Sequence, residues 1–186
     1  MIEGVSEMVG RFLFKQMLEA VQSCHFKGIC HRSISLESFL LDSNFSIKLT
    51  QFSQAKSFRD DGVLSGQCGE NHCQPPEMRA GILYLGKEVD IFQLGVCLFQ
   101  MVTGVRPFEN ALPEDKYYKC IAANRQDIFF EKHHKDSRTK MAGISEEFKS
   151  LFVGMVQILP PHRISMSEVM SHPWMHSPMP VMEEVF

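Results

Sequence analysis

The sequence lacks a long apolar run and has no concentration of charge of one sign. Its most apolar segment, Ile91 to Val102, is interrupted by Gln93 and Gln100, and no basic start followed by an apolar stretch marks a secretion signal. The 19 Lys and Arg are scattered and are outnumbered by 22 Asp and Glu, so no basic face for nucleic acid is visible. We therefore predict a soluble chain in the cytoplasm or another intracellular compartment, whose partners are proteins rather than nucleic acids or membranes.

Cysteine is also too sparse for a disulfide scaffold. The chain has six cysteines in 186 residues, which without a secretion signal are expected to stay reduced. Cys68, His72 and Cys73 are close enough in sequence to suggest a metal site, but there is no second cluster of ligands. We interpret them as ordinary side chains and predict no metal.

With 44% hydrophobic residues, the chain can bury one core, and we predict one mainly α-helical folded unit over residues 1–186. Helical periodicity covers residues 6–25, with Gly28 as the stop, and an all-round apolar helix covers residues 88–103, ending at Gly104. Further helices are predicted at 115–123, after Ser145, and after the capping box that begins at Ser165.

Two short apolar runs, 38–41 and 46–49, flank the turn residues at 42–44, and this pattern predicts a small β-hairpin. Residues 53–74 lack either period and are rich in Ser, Gly and Asp, which is typical of an extended surface loop. The basic segment 132–135 is interpreted as a solvated loop.

Residues 31–41, HRSISLESFLL, resemble the catalytic loop of eukaryotic protein kinases, H-R-D-L-K-P-E-N-x-L-L. Similar segments follow in the family's order: KLTQFS at 48–53 resembles the stretch ending in D-F-G, QPPE at 74–77 the end of the activation segment, and DIFQLG at 90–95 the D-x-W-S-x-G helix. GVRPF at 104–108, PPHRIS at 160–165 and HPW at 172–174 also match. The resemblance implies a kinase C-terminal lobe with a hairpin at the catalytic loop, and an activation-segment-like loop at 53–77.

The Cys68-Gly69 opening and the His-Pro-Trp ending are most similar to the calcium/calmodulin-dependent and AMP-activated group of serine/threonine kinases. No G-x-G-x-x-G precedes the first helix, so the resemblance is to the C-terminal lobe alone.

The resemblance also implies that the catalytic positions are degenerate. Ser33 replaces the aspartate that acts as base, and Ser35 replaces the lysine that steadies the transferred phosphoryl group. Ser38 and Gln51 replace the asparagine and aspartate that hold magnesium in the family. The family uses ATP and magnesium, but we expect no cofactor for this chain.

The family positions that hold the lobe together are retained. By the resemblance, Glu77 and Arg163 form a buried ion pair and Asp90 caps the backbone of the catalytic loop. The retained positions are His31, Arg32, Phe52, Glu77, Asp90, Gly95 and Arg163.

Two further positions have alternative interpretations. Glu37 matches a residue that can recognise a basic substrate side chain, but an exposed glutamate on a loop is as easily a solvated side chain. Leu40 matches the residue under the adenine ring, but a leucine in an apolar run is by default a core residue. If Leu40 does touch nucleotide, the contact is vestigial.

We predict a pseudokinase or kinase fragment that acts as a protein-interaction module, with a partner that covers the exposed cleft face. The alternatives are a serine/threonine kinase whose N-terminal lobe is missing from this chain, and a remnant without independent function. Whether the chain is an enzyme stays open at this point.

Overall fold

The computed structural model describes residues 4–58, 62–136 and 143–178. In chain order, the helices are α1 (Glu7–Phe26), α2 (Pro76–Arg79), α3 (Gly86–Thr103), α4 (Tyr118–Ala122), α5 (Gln126–Lys135), α6 (Glu146–Met155), α7 (Met166–Ser171) and α8 (Pro173–His176). The strands are β1 (Ile29–Cys30), β2 (Phe39–Leu41), β3 (Ile47–Leu49), β4 (Lys56–Ser57), β5 (Val63–Leu64) and β6 (Tyr84–Leu85). The predicted mainly α fold is confirmed.

Helix α3 lies at the centre of the core. It is apolar on nearly every side, so it is buried against α1 on one side and α6 on another. It ends as predicted at Gly104, whose φ of 78° places it in the left-handed region that favours glycine. In the part of the chain that the structure describes, no helix is both long and apolar enough to cross a membrane.

Helix α1 follows the predicted pattern. Ser6 caps its start by accepting a hydrogen bond from the Val9 N–H, and Phe14, Leu18 and Val21 form its fully buried stripe. The chain leaves the helix through Gly28, with φ of 73°. The helix therefore delivers the chain directly to β1 and the loop that follows.

Three separate two-stranded sheets surround this loop. The predicted hairpin is present as antiparallel β2 and β3, with Leu40 opposite Lys48. Two further pairs, β1 with β4 and β5 with β6, were not predicted, and they join segments that are distant in sequence. The segment at 53–77 is thus not irregular throughout. Its strands β4 and β5 attach it to the rest of the domain by pairing with β1 and β6.

The interpretation of residues 132–135 as a solvated loop was wrong. They form the last turns of α5, and His133 is buried with its ring stacked on Tyr117, with ring centroids 4.1 Å apart. The segment is helical because Phe129, Phe130 and His133 recur at helical spacing on one face. The predicted helix at 115–123 is shorter than expected and covers Tyr118–Ala122.

The C-terminal turns follow local capping signals. Ser145 caps α6 and Ser165 forms the predicted capping box with Glu168 at the start of α7. Helix α7 ends at Ser171, and Pro173 begins the short helix α8 instead of only terminating the fold. Trp174 in α8 is fully buried against Phe14 and Phe148.

A candidate cleft and the scaffold that supports it

Asp90 holds the backbone of the loop that enters the cleft. Its carboxylate accepts hydrogen bonds from the backbone N–H groups of Arg32 at 2.7 Å and His31 at 2.9 Å. The His25 side chain also contacts it, with Nε2 2.8 Å from Oδ2. Asp90 is fully buried in α3, so these contacts fix the loop to the central helix of the fold.

Gln93 makes a second attachment that the sequence analysis missed. Its Oε1 accepts from the Ile34 N–H at 2.9 Å, and its Nε2 donates to the Arg32 carbonyl at 3.0 Å. Gln93 lies three residues after Asp90, on the same face of α3. A fully buried amide in an otherwise apolar helix was the signal that could have revealed this role.

The serines of the loop hydrogen-bond to one another. Ser38 Oγ donates to the Ser35 carbonyl at 2.6 Å and accepts from the Ser35 N–H at 3.0 Å, across the 3₁₀ turn Leu36–Ser38. Both side chains are buried, while Ser33 is half-buried. The Ser38 hydroxyl, which the resemblance predicts at a metal-binding position, is therefore used to close the turn.

Gln51 reaches the same turn from the other side of the cleft. Its Nε2 donates to the Glu37 carbonyl at 2.9 Å, and its own backbone is left-handed, with φ of 63°. Partial burial raises the pKa of Glu37, but hydrogen bonds from its own backbone N–H and from the Ser35 side chain outweigh this effect, so the pKa lies below its usual value. The Glu37 carboxylate is exposed.

These donors do not fit a magnesium ion. Magnesium is bound through carboxylates, and the two positions assigned to it present only a hydroxyl on Ser38 and an amide on Gln51. Within residues 4–58, 62–136 and 143–178, no three or more His, Cys, Asp or Glu side chains are grouped to hold a metal ion. Ser38 and Gln51 as they stand offer hydrogen bonding but no carboxylate to hold a metal ion against phosphate.

An apolar face lies beside the loop. The His31 and Phe52 rings meet edge to face with centroids 4.9 Å apart, and His31 Nε2 donates to the Thr50 carbonyl at 2.8 Å. Leu40, Leu41 and Phe52 are 58%, 51% and 44% exposed. The interpretation of Leu40 as a core residue was wrong, because its strand β2 turns this side chain outward.

Arg32 connects the loop to the segment at 53–77. It is buried with φ of 65°, and its guanidinium donates to the carbonyls of Gln54 at 2.8 Å and Ser65 at 3.2 Å, and to the Tyr84 hydroxyl at 2.9 Å. All of these acceptors are uncharged. Arg32 thus joins the loop by hydrogen bonds to Gln54 before β4, to Ser65 after β5 and to Tyr84 in β6.

Glu77 and Arg163 form the expected ion pair across the fold. The bridge is bidentate, with Nη1 to Oε1 at 2.6 Å and Nη2 to Oε2 at 2.7 Å, and the two side chains are 3% and 0% exposed. The guanidinium also lies 4.9 Å from the centroid of the Phe92 ring. This pair connects α2 to the turn before α7.

Cys68, His72 and Cys73 do not converge on one point. Cys68 Sγ donates to the Arg32 carbonyl, His72 lies 3.4 Å from Glu70, and burial raises the pKa of Cys73. Burial, followed by the charge of a nearby arginine, lowers the pKa of His72. All six cysteines are free thiols.

The geometry defines a class: a helical domain in which one central helix supports a hydrogen-bonded loop, and an Arg–Glu pair ties the segment beside that loop to the helices below. Residues 2–175 match the protein kinase domain family. The chain belongs to this family, which confirms the resemblance seen in its motifs.

Curated relatives agree over nearly the whole chain. It is 30% identical to the protein kinase domain-containing protein ppk9 of Schizosaccharomyces pombe, over 95% of this chain and 31% of that protein. It is 31% identical to the probable serine/threonine-protein kinase MARK-A of Dictyostelium discoideum, over 93% of this chain and 15% of that protein. It is 32% identical to the mouse testis-specific serine/threonine-protein kinase 2, over 95% of this chain and 48% of that protein. The chain thus spans less than half of each relative.

Proposed function

We propose that this chain is a catalytically inactive member of the protein kinase family, corresponding to the C-terminal lobe, and that it acts as a protein-interaction module. The observation that carries the proposal is the hydrogen-bonded turn at Ser35, Ser38 and Gln51. The Ser38 and Gln51 side chains hydrogen-bond to backbone carbonyls of the chain, at positions where phosphate transfer in the family needs charged side chains or metal ligands. The proposed subgroup is the calcium/calmodulin-dependent and AMP-activated one, on the motifs at Cys68-Gly69 and His172-Pro173-Trp174.

The loop offers no base for the attacking hydroxyl. Ser33 is uncharged near neutral pH and cannot take up a proton as an aspartate would, and loss of a general base removes on the order of 10²- to 10⁴-fold in rate. Glu37 does carry a carboxylate, but it is exposed and bonded to Ser35 rather than directed at the Ser33 position. No retained residue substitutes for the missing base in this arrangement.

Metal binding would also require existing hydrogen bonds to be broken. To bind magnesium, Ser38 would have to lose its hydrogen bonds with Ser35, and Gln51 would have to lose its hydrogen bond to the Glu37 carbonyl. Both side chains would then offer neutral ligands, which magnesium prefers less than carboxylates. ATP and magnesium chemistry, which the family uses, is therefore not expected from this chain alone.

The exposed apolar face favours an interaction role. Leu40, Leu41 and Phe52 are exposed close to the loop in sequence, and exposed apolar side chains that form a patch usually mark sites of protein contact. The proposed partner is a protein surface that covers this face, such as a complementary lobe. Glu37 at the edge of the face could then contact a basic residue of that partner.

A second candidate is a serine/threonine kinase in which other segments supply the nucleotide-binding parts. The retained Asp90, Glu77 and Arg163 contacts and the names of the relatives favour it. It requires that the altered loop still transfers phosphate.

Thermal unfolding with nucleotide tests the inactive assignment for this chain. A ligand present at 100 times its Kd stabilises the native state by about 2.7 kcal/mol, which for a domain of this size raises Tm by roughly 5–11 °C. We expect no rise with ATP, with or without magnesium. A matched variant that restores the family residues, Ser33→Asp, Ser38→Asn and Gln51→Asp, serves as the comparison.

A magnesium-dependent rise in Tm of the native chain would refute the inactive assignment. A rise only in the restored variant would identify the substitutions as the cause of the loss. If neither protein responds, this chain carries no nucleotide site of its own, an outcome that the second candidate also allows.

A further inference from the structure

A lysine nitrogen and a cysteine sulfur are in contact between α4 and α5. Lys132 Nζ lies 3.3 Å from Cys120 Sγ, although the two residues are 12 positions apart and lie on separate helices. The same ammonium group donates to the Lys116 carbonyl at 3.1 Å, so a second hydrogen bond fixes its position. None of the candidate site residues described above takes part, so the pair is independent of the catalytic question.

No carboxylate draws the Lys132 ammonium group away from the sulfur. Among the residues that the structure describes, its hydrogen bonds go to the Lys116 carbonyl and to the Cys120 sulfur. By contrast, Lys135 on the same helix forms an ion pair with Glu131 at 2.6 Å. The Lys132 nitrogen is therefore kept beside the sulfur without competition from an acidic side chain.

Small molecules in solvent have a short path to this pair. Cys120 is 5% exposed, and Lys132 is half-buried. Lys132 also forms part of the wall of an open pocket of about 460 Å³, together with Lys116, Lys135 and Asp136. Because Lys132 both lines this pocket and contacts the sulfur, a molecule as small as hydrogen peroxide can approach Cys120 from it.

The other five cysteines have different surroundings. Burial raises the pKa of each of these thiols, so they stay protonated at neutral pH and react slowly with oxidants. Among the described residues, none of their sulfurs lies within hydrogen-bonding distance of a lysine nitrogen. These five are Cys24, Cys30, Cys68, Cys73 and Cys97.

From this geometry we propose that Cys120 and Lys132 form a reversible sulfur–nitrogen cross-link under oxidising conditions. Hydrogen peroxide first oxidises the Cys120 thiol by two electrons: the O–O bond breaks, one oxygen joins the sulfur as a sulfenic acid, and the other leaves as water. The Lys132 ammonium group releases a proton to solvent, and the resulting amine attacks the sulfur. The S–N bond of a sulfenamide forms while the S–O bond breaks, and a second water leaves.

The cross-link is a reversible covalent connection between α4 and α5. A small thiol reverses it in two steps. One thiol attacks the Cys120 sulfur and displaces the Lys132 amine, which gives a mixed disulfide. A second thiol then attacks that disulfide and releases the Cys120 thiol.

Mass spectrometry of the purified chain, treated with hydrogen peroxide and digested with trypsin without reductant, tests the proposal. We expect the peptides that contain Cys120 and Lys132 to be joined, with a mass two hydrogen atoms below their sum. Dithiothreitol should release both peptides. The cross-link should be absent in Lys132→Arg, which keeps the positive charge but has no nucleophilic amine, and absent in Lys132→Gln.

Lys119→Gln is the matched control. Lys119 precedes Cys120 in sequence and is exposed, and no hydrogen bond joins its nitrogen to the sulfur in the described structure, so the cross-link should form as in the native chain. Circular dichroism melts check that each variant is folded. Oxidised Cys120 without a cross-link, loss of the cross-link in Lys119→Gln, its persistence in Lys132→Arg, or an equal yield from the chain unfolded in urea would each overturn the proposal.

Discussion

Removal of the Arg163 guanidinium should be among the most damaging single changes to this fold. In Arg163→Ala, the Glu77 carboxylate keeps its place, 3% exposed, but loses both of its charge-assisted hydrogen bonds. The carbonyls of Gln157 and Glu88, which accept from the same guanidinium, lose a donor as well. The variant therefore buries an uncompensated charge.

The expected magnitude follows from that burial. Breaking a buried pair by removing one partner costs about 3–5 kcal/mol of unfolding free energy. For a domain of this length, each kcal/mol corresponds to roughly 2–4 °C in Tm, so Tm should fall by roughly 6–20 °C.

Urea unfolding followed by circular dichroism at a fixed pH measures the effect. The midpoint should fall while the slope with urea stays constant, because the surface exposed on unfolding is the same. Arg125→Ala is the matched control: it removes an arginine from an exposed pair with Asp127, and no resolvable change is expected. A second comparison, Arg163→Met with Glu77→Leu, removes both charges and should cost less than Arg163→Ala alone.

A loss below about 1 kcal/mol for Arg163→Ala, at an unchanged slope, would refute this reasoning. It would mean that water or another donor hydrogen-bonds to the Glu77 carboxylate once the arginine is removed.

Two further changes probe the core. Burial lowers the pKa of His133 to about 4, below the value of about 6.5 expected in the unfolded chain, so its contribution to stability is present above pH 6.5 and lost as pH falls through 4. The unfolding free energy, measured with urea from neutral to acidic pH, should therefore fall by roughly 3 kcal/mol over that window. It should change less in His133→Gln. The same dependence of unfolding free energy on pH in both proteins would contradict this. Gly95→Ala places a Cβ 2.9 Å from Met155 Cβ and 3.0 Å from Val156 Cγ1, so it should destabilise by roughly 1–3 kcal/mol in the same assay despite alanine's better helix propensity. A stabilised Gly95→Ala protein would show that α6 can move away from α3.

The elements that the sequence predicted correctly carry their signals locally. Ser6, Ser145 and Ser165 each precede a helix and accept the hydrogen bond of an N-cap, and Gly104 supplies the left-handed residue at the end of α3. The hairpin of β2 and β3 is likewise defined by its own turn. These features depend on residues a few positions apart, which a sequence displays directly.

The misread elements depend on contacts between distant residues. Residues 132–135 appear polar in sequence, and among them only His133 is buried, where Phe99 and Tyr117 pack on its ring at the end of α5. Strands β5 and β6 pair only because the fold brings residues 63–64 to residues 84–85. Local composition contains no trace of these partners.

The resemblance predicts which residues form the candidate site, but it does not predict their hydrogen bonds. Ser38 and Gln51 could be identified as altered positions by resemblance, whereas their hydrogen bonds to Ser35 and to the Glu37 carbonyl required the structure. A neutral side chain can form hydrogen bonds of similar strength with many different partners. Its partner therefore cannot be deduced from the spacing of residues in the sequence.

The way the loop is held explains how the architecture can persist when the catalytic residues change. Asp90 and Gln93 hold backbone atoms of His31, Arg32 and Ile34, and neither holds a side chain at a catalytic position. Substitution at Ser33 therefore leaves every one of these bonds intact. The path of the loop therefore depends on other residues than its exposed side chains do, so side chains of the loop can be substituted without loss of the fold.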